Sequence, residues 1–311
     1  MSGSRRPSLI EPYIGYSVPD GAVVRGRVLS EVHAPTGTEG ASRWQNFRAM
    51  LRLFLTDEVA DVAVTAAGVT GRSDAEGYVT LTVPIAGQAP WTEVPLRVEG
   101  SDVEASCPVR VPGPGARHLV ISDIDDTVIE TGAHSLARNL WTTFTGSTLT
   151  RRVHEDARAL LSRASDGERN PVFYVSSSPW NLHGFLLELF RRNGVPLGPM
   201  FLRDYGISGT PGGHLGHKGA SIDEILAAAP GLPAYLMGDT GQKDARVYLD
   251  AVERHGAARA GGRIAGVALR QPTPGTVADD EGHIAQIEAL GVPCYSAPSF
   301  AGAAAHWGWD A

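Results

Sequence analysis

Cysteine is scarce in this chain: Cys107 and Cys294 are the only two in 311 residues, and they lie far apart. A disulfide framework is therefore excluded, and the pair suits reduced, buried thiols. Neither a cysteine cluster nor a His-x-x-x-His spacing is present, so a zinc site has no support. No apolar run approaches the ~18 residues of a membrane span. Arg5 and Arg6 have no apolar stretch behind them, so no secretory signal is visible. The expectation is a chain made and kept in the cytoplasm. An excess of positive charge is also missing. The formal balance is −7, which counts against a duplex nucleic-acid binder, although a local basic groove stays open. An anionic ligand would have to be drawn in by local charge rather than by the global field. What remains is an ordinary globular composition, 42% apolar, at a length comfortable for two domains.

The chain changes character at Val111-Pro-Gly-Pro-Gly-Ala-Arg117. Before it, short alternating segments predict strands at Val23–Leu29, Arg48–Leu55, Val62–Thr65, Tyr78–Val83, Glu93–Val98 and Ala105–Val111. Turn signals such as Asp74-Ala-Glu-Gly77 separate them. Residues 15–113 are expected to form a small antiparallel β-sandwich. After the linker, strands at Leu119–Ser122, Val172–Val175, Pro199–Leu202, Ala234–Met237, Ile264–Leu269 and Val292–Tyr295 alternate with helices. The helices are expected at Val153–Ala164, Trp180–Asn193, Lys218–Ala229, Gln242–His255 and Asp280–Leu290. This rhythm predicts right-handed βαβ units and a doubly wound, Rossmann-like parallel sheet over residues 117–311.

Chemistry concentrates at the ends of those strands, where open α/β sheets hold ligands. The apolar run Leu119–Ile121 leads into Ser122-Asp-Ile-Asp-Asp-Thr127. Two carboxylates buried side by side are costly unless a cation or a shared proton relieves them, so Asp123 and Asp125 suggest a divalent metal with an anionic substrate. The same run also suits a mere Asp-rich turn. It is not a calcium loop, because Val128 and His134 occupy the positions where a Gly and a Glu are needed. Ser176, followed by Ser177-Ser-Pro-Trp180, offers a hydroxyl and backbone N–H groups for a phosphate, with Ser178 read as a cap for the helix behind Pro179. Lys218 stands at a helix start, where the macrodipole disfavours a cation, so its charge suggests an anion nearby; a solvated surface lysine is the plainer alternative. Gly238 permits tight approach before Asp239, and Asp244 follows as either a favourable helix-start charge or a partner of the site.

Taken in order, Ser122-Asp-Ile-Asp-Asp-Thr127, Tyr174-Val-Ser-Ser-Ser-Pro-Trp180, His217-Lys218 and Gly238-Asp-Thr-Gly-Gln-Lys-Asp244 form a four-part set. The set resembles the signature of the haloacid dehalogenase-like phosphatases and, more closely, the catalytic domain of the actin-patch phosphatidate phosphatase family. The resemblance implies a fold with no large cap. It also implies that Asp123 is the nucleophile, giving an aspartyl-phosphate, and that Asp125 is first the acid and then the base. Magnesium would be held by Asp123, the backbone carbonyl of Asp125 and Asp239. Ser176, Ser177 with adjacent N–H groups, and Lys218 would bind the phosphate. Thr127 would support the loop, and Asp244 would orient Lys218 or a metal-bound water.

The segments between Thr127 and Val153 and between Asn193 and Lys218 are too short for a full cap. An uncapped site admits bulky or membrane-bound phosphomonoesters, which favours phosphatidate as substrate and diacylglycerol as product. Arg151, Arg152, Arg191 and Arg192 could favour peripheral contact with an anionic membrane, and Trp141, Phe144 and Trp180 could form an apolar rim. The alternatives are a soluble metabolite, a phosphoprotein or a nucleic-acid end as substrate, or a silent fold that serves only as an anion- or membrane-binding module.

Overall fold

The computed structural model describes residues 7–30, 58–86, 89–130, 152–203, 213–271 and 278–309. The strand expected at Arg48–Leu55 lies outside them, as do Trp141, Phe144, Arg151, most of the segment between Thr127 and Val153, and residues 204–212 of the segment between Asn193 and Lys218. The chain divides into two compact units, essentially before and after the Pro112–Gly113 step.

The first unit holds β1 (Leu9–Val18), β2 (Gly21–Leu29), β3 (Ala63–Ala66), β4 (Val69–Arg72), β5 (Tyr78–Val83), β6 (Trp91–Val98) and β7 (Glu104–Arg110). Among the described residues these strands form one mixed sheet of order β4-β3-β6-β7-β1-β2-β5. The sheet is mixed because β1 runs parallel to β7 while pairing antiparallel with β2. The sheet also curls: a Cβ added to Gly71 on edge strand β4 would lie 2.4 Å from Leu81 Cδ2 on the other edge strand, β5. Strict alternation in β5 and β6 sends Val79, Leu81, Val83, Val94, Leu96 and Val98 into a core with Ile10, Val24, Val28 and Val109.

Two strands of this sheet were absent from the sequence expectation. β1 begins before residue 15 and breaks alternation at a register shift between Tyr13 and Tyr16. β4 is a four-residue edge strand with no buried residue, so it carries no hydrophobic pattern to read.

The second unit holds β8 (Leu119–Ser122), β9 (Val172–Pro179), β10 (Met200–Arg203), β11 (Ala234–Asp239), β12 (Ile264–Arg270) and β13 (Cys294–Ala297). Its main helices are α1 (Glu155–Ser165), α2 (His183–Arg192), α3 (Gly213–Ala228), α4 (Asp244–His255) and α5 (Ala278–Ala289), followed by the short α6 (Ala303–His306). All neighbouring strands pair in parallel, in the order β10-β9-β8-β11-β12-β13. Chain order therefore runs outward from β8 in one direction and then, from β11, in the other. Such a reversal creates a crevice at the carboxyl ends of the two central strands, where α/β sheets place ligands. β8 is buried along its whole length, as expected of a central parallel strand covered on both faces.

Candidate active site

β8 ends at Ser122 and delivers Asp123 to the crevice, with its N–H donating to Met237 O of β11 at 2.8 Å. The turn behind it is tight. Val128 and Ile129 N–H both donate to Ile124 O at 2.9 Å, and Asp126 takes a left-handed φ of 57°, which a short polar side chain tolerates better than most. This turn buries Asp123, Asp125 and Thr127 together.

Across the crevice, β11 ends in Gly238 and Asp239. Here only glycine fits: a Cβ on Gly238 would stand 2.5 Å from Asp244 Oδ2 and 2.7 Å from the Tyr248 hydroxyl. That hydroxyl donates to Met237 O at 2.6 Å, and so pins α4 to the strand end.

Lys218 in α3 is fully buried at the centre of the acids. Its Nζ lies 2.8 Å from Asp123 Oδ1 and 2.5 Å from Asp244 Oδ1. The chain has only two lysines, Lys218 and Lys243, and both fall in the motifs of this site. A compact ammonium suits the space between two carboxylates better than the broad guanidinium fork used elsewhere in the chain. Asp244 is consumed by this frame: its Oδ1 takes Lys218 and its Oδ2 accepts the Asp239 N–H at 3.2 Å. Asp239 Oδ1 accepts the Gly241 N–H at 2.6 Å.

Among the three clustered acids, Asp123, Asp239 and Asp244, two carboxylate oxygens are left over. Asp123 Oδ2 and Asp239 Oδ2 are buried with no hydrogen-bond partner among the described residues, an arrangement that burial ordinarily forbids. Asp123, Asp239 and Asp244 present carboxylate oxygens all within 4.8 Å of one another. An all-oxygen donor set with orphaned oxygens fits a hard divalent cation. Charge says the same: Asp123, Asp125, Asp239 and Asp244 are all buried against one ammonium, so full ionisation of the four acids would leave three negative charges uncompensated.

The electrostatics follow from this excess. Burial, with added repulsion from Asp244 and Asp123, pushes the Asp239 carboxyl up to about 9. Asp123 stands well above the usual carboxylate range. Burial is the main cause and Asp244 and Asp125 add to it, while Lys218 opposes them. Burial alone would lower the pKa of Lys218, but Asp123 and Asp244 outweigh it and hold the ammonium above its ordinary value. A bound cation would reverse the shifts of the two acids by favouring their ionised forms.

Asp125 is set apart from this cluster. Its Oδ2 accepts Ser176 Oγ–H at 2.8 Å and Ser178 Oγ–H at 3.0 Å, and its backbone carbonyl accepts the Gln242 side-chain amide at 3.2 Å. Its carboxyl therefore faces the serine strand, and the clustered carboxylates are those of Asp123, Asp239 and Asp244. Ser178 does not cap a helix. β9 stays extended through Pro179, and a single 3₁₀ turn at Trp180–Leu182 leads into α2. Extended backbone puts residues two apart on one face, so Ser176 and Ser178 reach Asp125 together while Ser177 alternates away. Gln242 and Ser178 were missed as partners of the site. Both lie inside the motifs, but a contact to Asp125 leaves no trace in local spacing.

Arg191 and Arg192 both pair with Glu188 on the surface of α2, at 3.2 and 2.6 Å. Among the described residues no helix is long and apolar enough to cross a membrane.

A comparison with curated proteins finds no match. The family model described as phosphatidate phosphatase APP1, catalytic domain, matches residues 118–271. That span starts one residue before β8, runs one residue past the end of β12, and contains every acid, serine and lysine of the site. The α/β unit therefore belongs to the phosphatidate phosphatase APP1 catalytic-domain family, and the chain carrying it is a phosphatase.

Proposed function

We propose that this chain is a magnesium-dependent phosphatidate phosphatase of haloacid dehalogenase-like, doubly wound fold, acting through an aspartyl-phosphate on Asp123. The observation that carries the reading is Asp123 itself. One of its carboxylate oxygens rests on Lys218 and the other is buried without a partner at the carboxyl end of a central strand. Magnesium, held by Asp123 and Asp239 with the backbone carbonyl of Asp125, would neutralise phosphate oxygens as charge shifts during transfer.

The chain's own residues supply the rest. Asp123 attacks phosphorus, and the bond between phosphorus and the diacylglycerol oxygen breaks. Asp125 gives its proton to the departing alkoxide, then takes one from the water that cleaves the aspartyl-phosphate and frees Asp123. An ammonium has three donors. Lys218 spends two on Asp123 and Asp244, which leaves the third for a phosphate oxygen, alongside N–H groups next to Ser176 and Ser177. Asp244 keeps Lys218 in place, and Thr127 fills the turn beneath. The acyl chains stay in a membrane surface that the protein meets peripherally from the cytoplasm.

The test is phosphate release from phosphatidate in mixed micelles, with magnesium or with chelator, beside a panel of soluble phosphomonoesters. Release is expected to rise with the surface concentration of phosphatidate and to require magnesium. Asp123→Asn should lower it by at least about 10³-fold. Fluoroberyllate with magnesium should inhibit the unsubstituted chain and should not bind Asp123→Asn. Activity confined to soluble esters would keep the chemistry and remove the lipid. Silence throughout would leave the anion-binding module.

A further inference from the structure

The hydroxyls of Ser176 and Ser178 both converge on a single oxygen of Asp125, and this is the least expected contact of the site. A serine at the end of β9 was expected to meet a phosphate. Ser176 Oγ donates to Asp125 Oδ2 while accepting the Ser178 N–H at 2.9 Å, and Ser178 Oγ donates to the same Oδ2. Both serines are buried, as is Asp125. Behind them, the Gln242 amide holds the Asp125 backbone carbonyl. The carboxyl is thus fixed at its backbone and at one oxygen.

We infer that Ser178 is a positioning residue that selects which oxygen of Asp125 carries the transferable proton. This rests on the reading of Asp125 as the acid. A carboxylic acid bears its proton on one oxygen and accepts hydrogen bonds best on the other. With two hydroxyls donating to Oδ2, the proton is placed on Oδ1, and the carboxyl plane is held against rotation. Extended backbone through Pro179 is what makes this possible, since residues 176 and 178 then share a face. The consequence is specificity for the leaving group. An alcohol such as diacylglycerol departs as a strongly basic alkoxide and needs the proton during bond cleavage, whereas a nitrophenolate does not.

The experiment compares phosphatidate with a nitrophenyl phosphate bearing an alkyl chain, presented in the same mixed micelles, for the full chain and its variants. The value to compare is kcat/KM, which reports steps up to departure of the alcohol and excludes later hydrolysis of the aspartyl-phosphate. Ser178→Ala is expected to lose about tenfold more on phosphatidate than on the nitrophenyl ester, in line with one lost hydrogen bond to an ionisable group. Asp125→Asn should show the same selectivity at about 10²-fold or more. Ser178→Thr, which retains a hydroxyl, should recover phosphatidate turnover to within about threefold.

Equal losses on both esters in Ser178→Ala, or no loss on either, would overturn the positioning role while Asp125→Asn still shows selectivity. Failure of Ser178→Thr to exceed Ser178→Ala on phosphatidate would overturn it without reference to the aryl ester. Equal losses in Asp125→Asn would instead remove Asp125 as the acid.

Discussion

The two sheets bury charged side chains in opposite ways. In the first, Arg27, Ser73 and Arg110 are buried, and each is occupied. Arg27 reaches Glu76 O and Glu58, Ser73 donates to Val59 O, and Arg110 donates to Pro90 O and Val111 O with its guanidinium over Trp91. In the second, Asp123, Asp125, Asp239, Asp244 and Lys218 crowd the carboxyl ends of β8, β9 and β11, and Asp123 Oδ2 and Asp239 Oδ2 find no hydrogen-bond partner among the described residues. Arg27, Ser73 and Arg110 help hold the first sheet together. The second leaves carboxylate oxygens unspent in its crevice. Buried carboxylate oxygens without partners are how a fold signals that something else completes it.

The largest break in this comparison should come from pH in the absence of metal. Asp239, raised to about 9, and Asp123, also raised by burial and like charge, keep their protons in the folded chain where the unfolded chain has lost them. Between about pH 4 and 9 the folded state therefore binds more protons than the unfolded one, so stability falls as pH rises. Each such carboxyl contributes up to about 1.4 kcal/mol per pH unit. Lys218, raised above its ordinary value, contributes stability that is lost only above this window. In chelator, Tm should drop steadily from pH 5 to 8. Magnesium should restore it more at pH 8 than at pH 5, because the cation displaces those protons. Asp239→Asn should flatten the slope. A metal-free Tm that rises over that range would show the acids to be compensated from within.

Next in size is the packing that holds the crevice in shape. Gly238→Ala forces a methyl to within 2.5 Å of Asp244 Oδ2 and 2.7 Å of the Tyr248 hydroxyl, with α4 behind both. The expected cost is about 2–3 kcal/mol from overpacking, read as a shift in the denaturant midpoint at constant slope. Activity should fall further than stability explains, because the displaced Asp244 carries Lys218 with it. A variant of unchanged midpoint would mean that α4 shifts freely and that the Lys218 frame is not rigid.

How far all this was legible in the sequence depends on which force sets each element. Central parallel strands bury both faces, so β8, β11 and β12 appear as plain apolar runs, and the acids beyond Ser122 and Met237 mark their ends. β1 was not legible, because its register shift near Tyr13 and the proline at position 12 destroy the period. Ser178 was misread for the opposite reason. Ser-Pro before an aromatic residue is a strong helix-start signal, and a tertiary partner, Asp125, overrode it by keeping the backbone extended. The mixed character of the first sheet was not legible because pairing of β1 with β7 joins elements about ninety residues apart, a contact that no local pattern encodes. Residue types for the chemistry were readable; which carboxyl would face which hydroxyl was not.

The smallest effect tests the satisfied sheet. Arg110 is 2% exposed, at the end of β7, and donates to Pro90 O at 2.8 Å and Val111 O at 2.7 Å. Arg110→Met keeps length and apolar contact with Trp91 but removes the donor from Val111 O, while Pro90 O still accepts the Val111 N–H at 3.0 Å. That should cost about 1–2 kcal/mol, with no pH dependence between 5 and 9, since arginine does not titrate there and its partners are carbonyls. Magnesium should not offset the loss beyond what it gives the unsubstituted chain, because the acids it would complete are untouched. Magnesium rescue of Arg110→Met comparable to the rescue at pH 8 would mean that the first sheet, too, draws on the cation. The division between a self-satisfied sheet and an incomplete one would then fail. If the loss is instead fixed, pH-independent and indifferent to metal, one kind of buried charge serves architecture and the other serves a ligand.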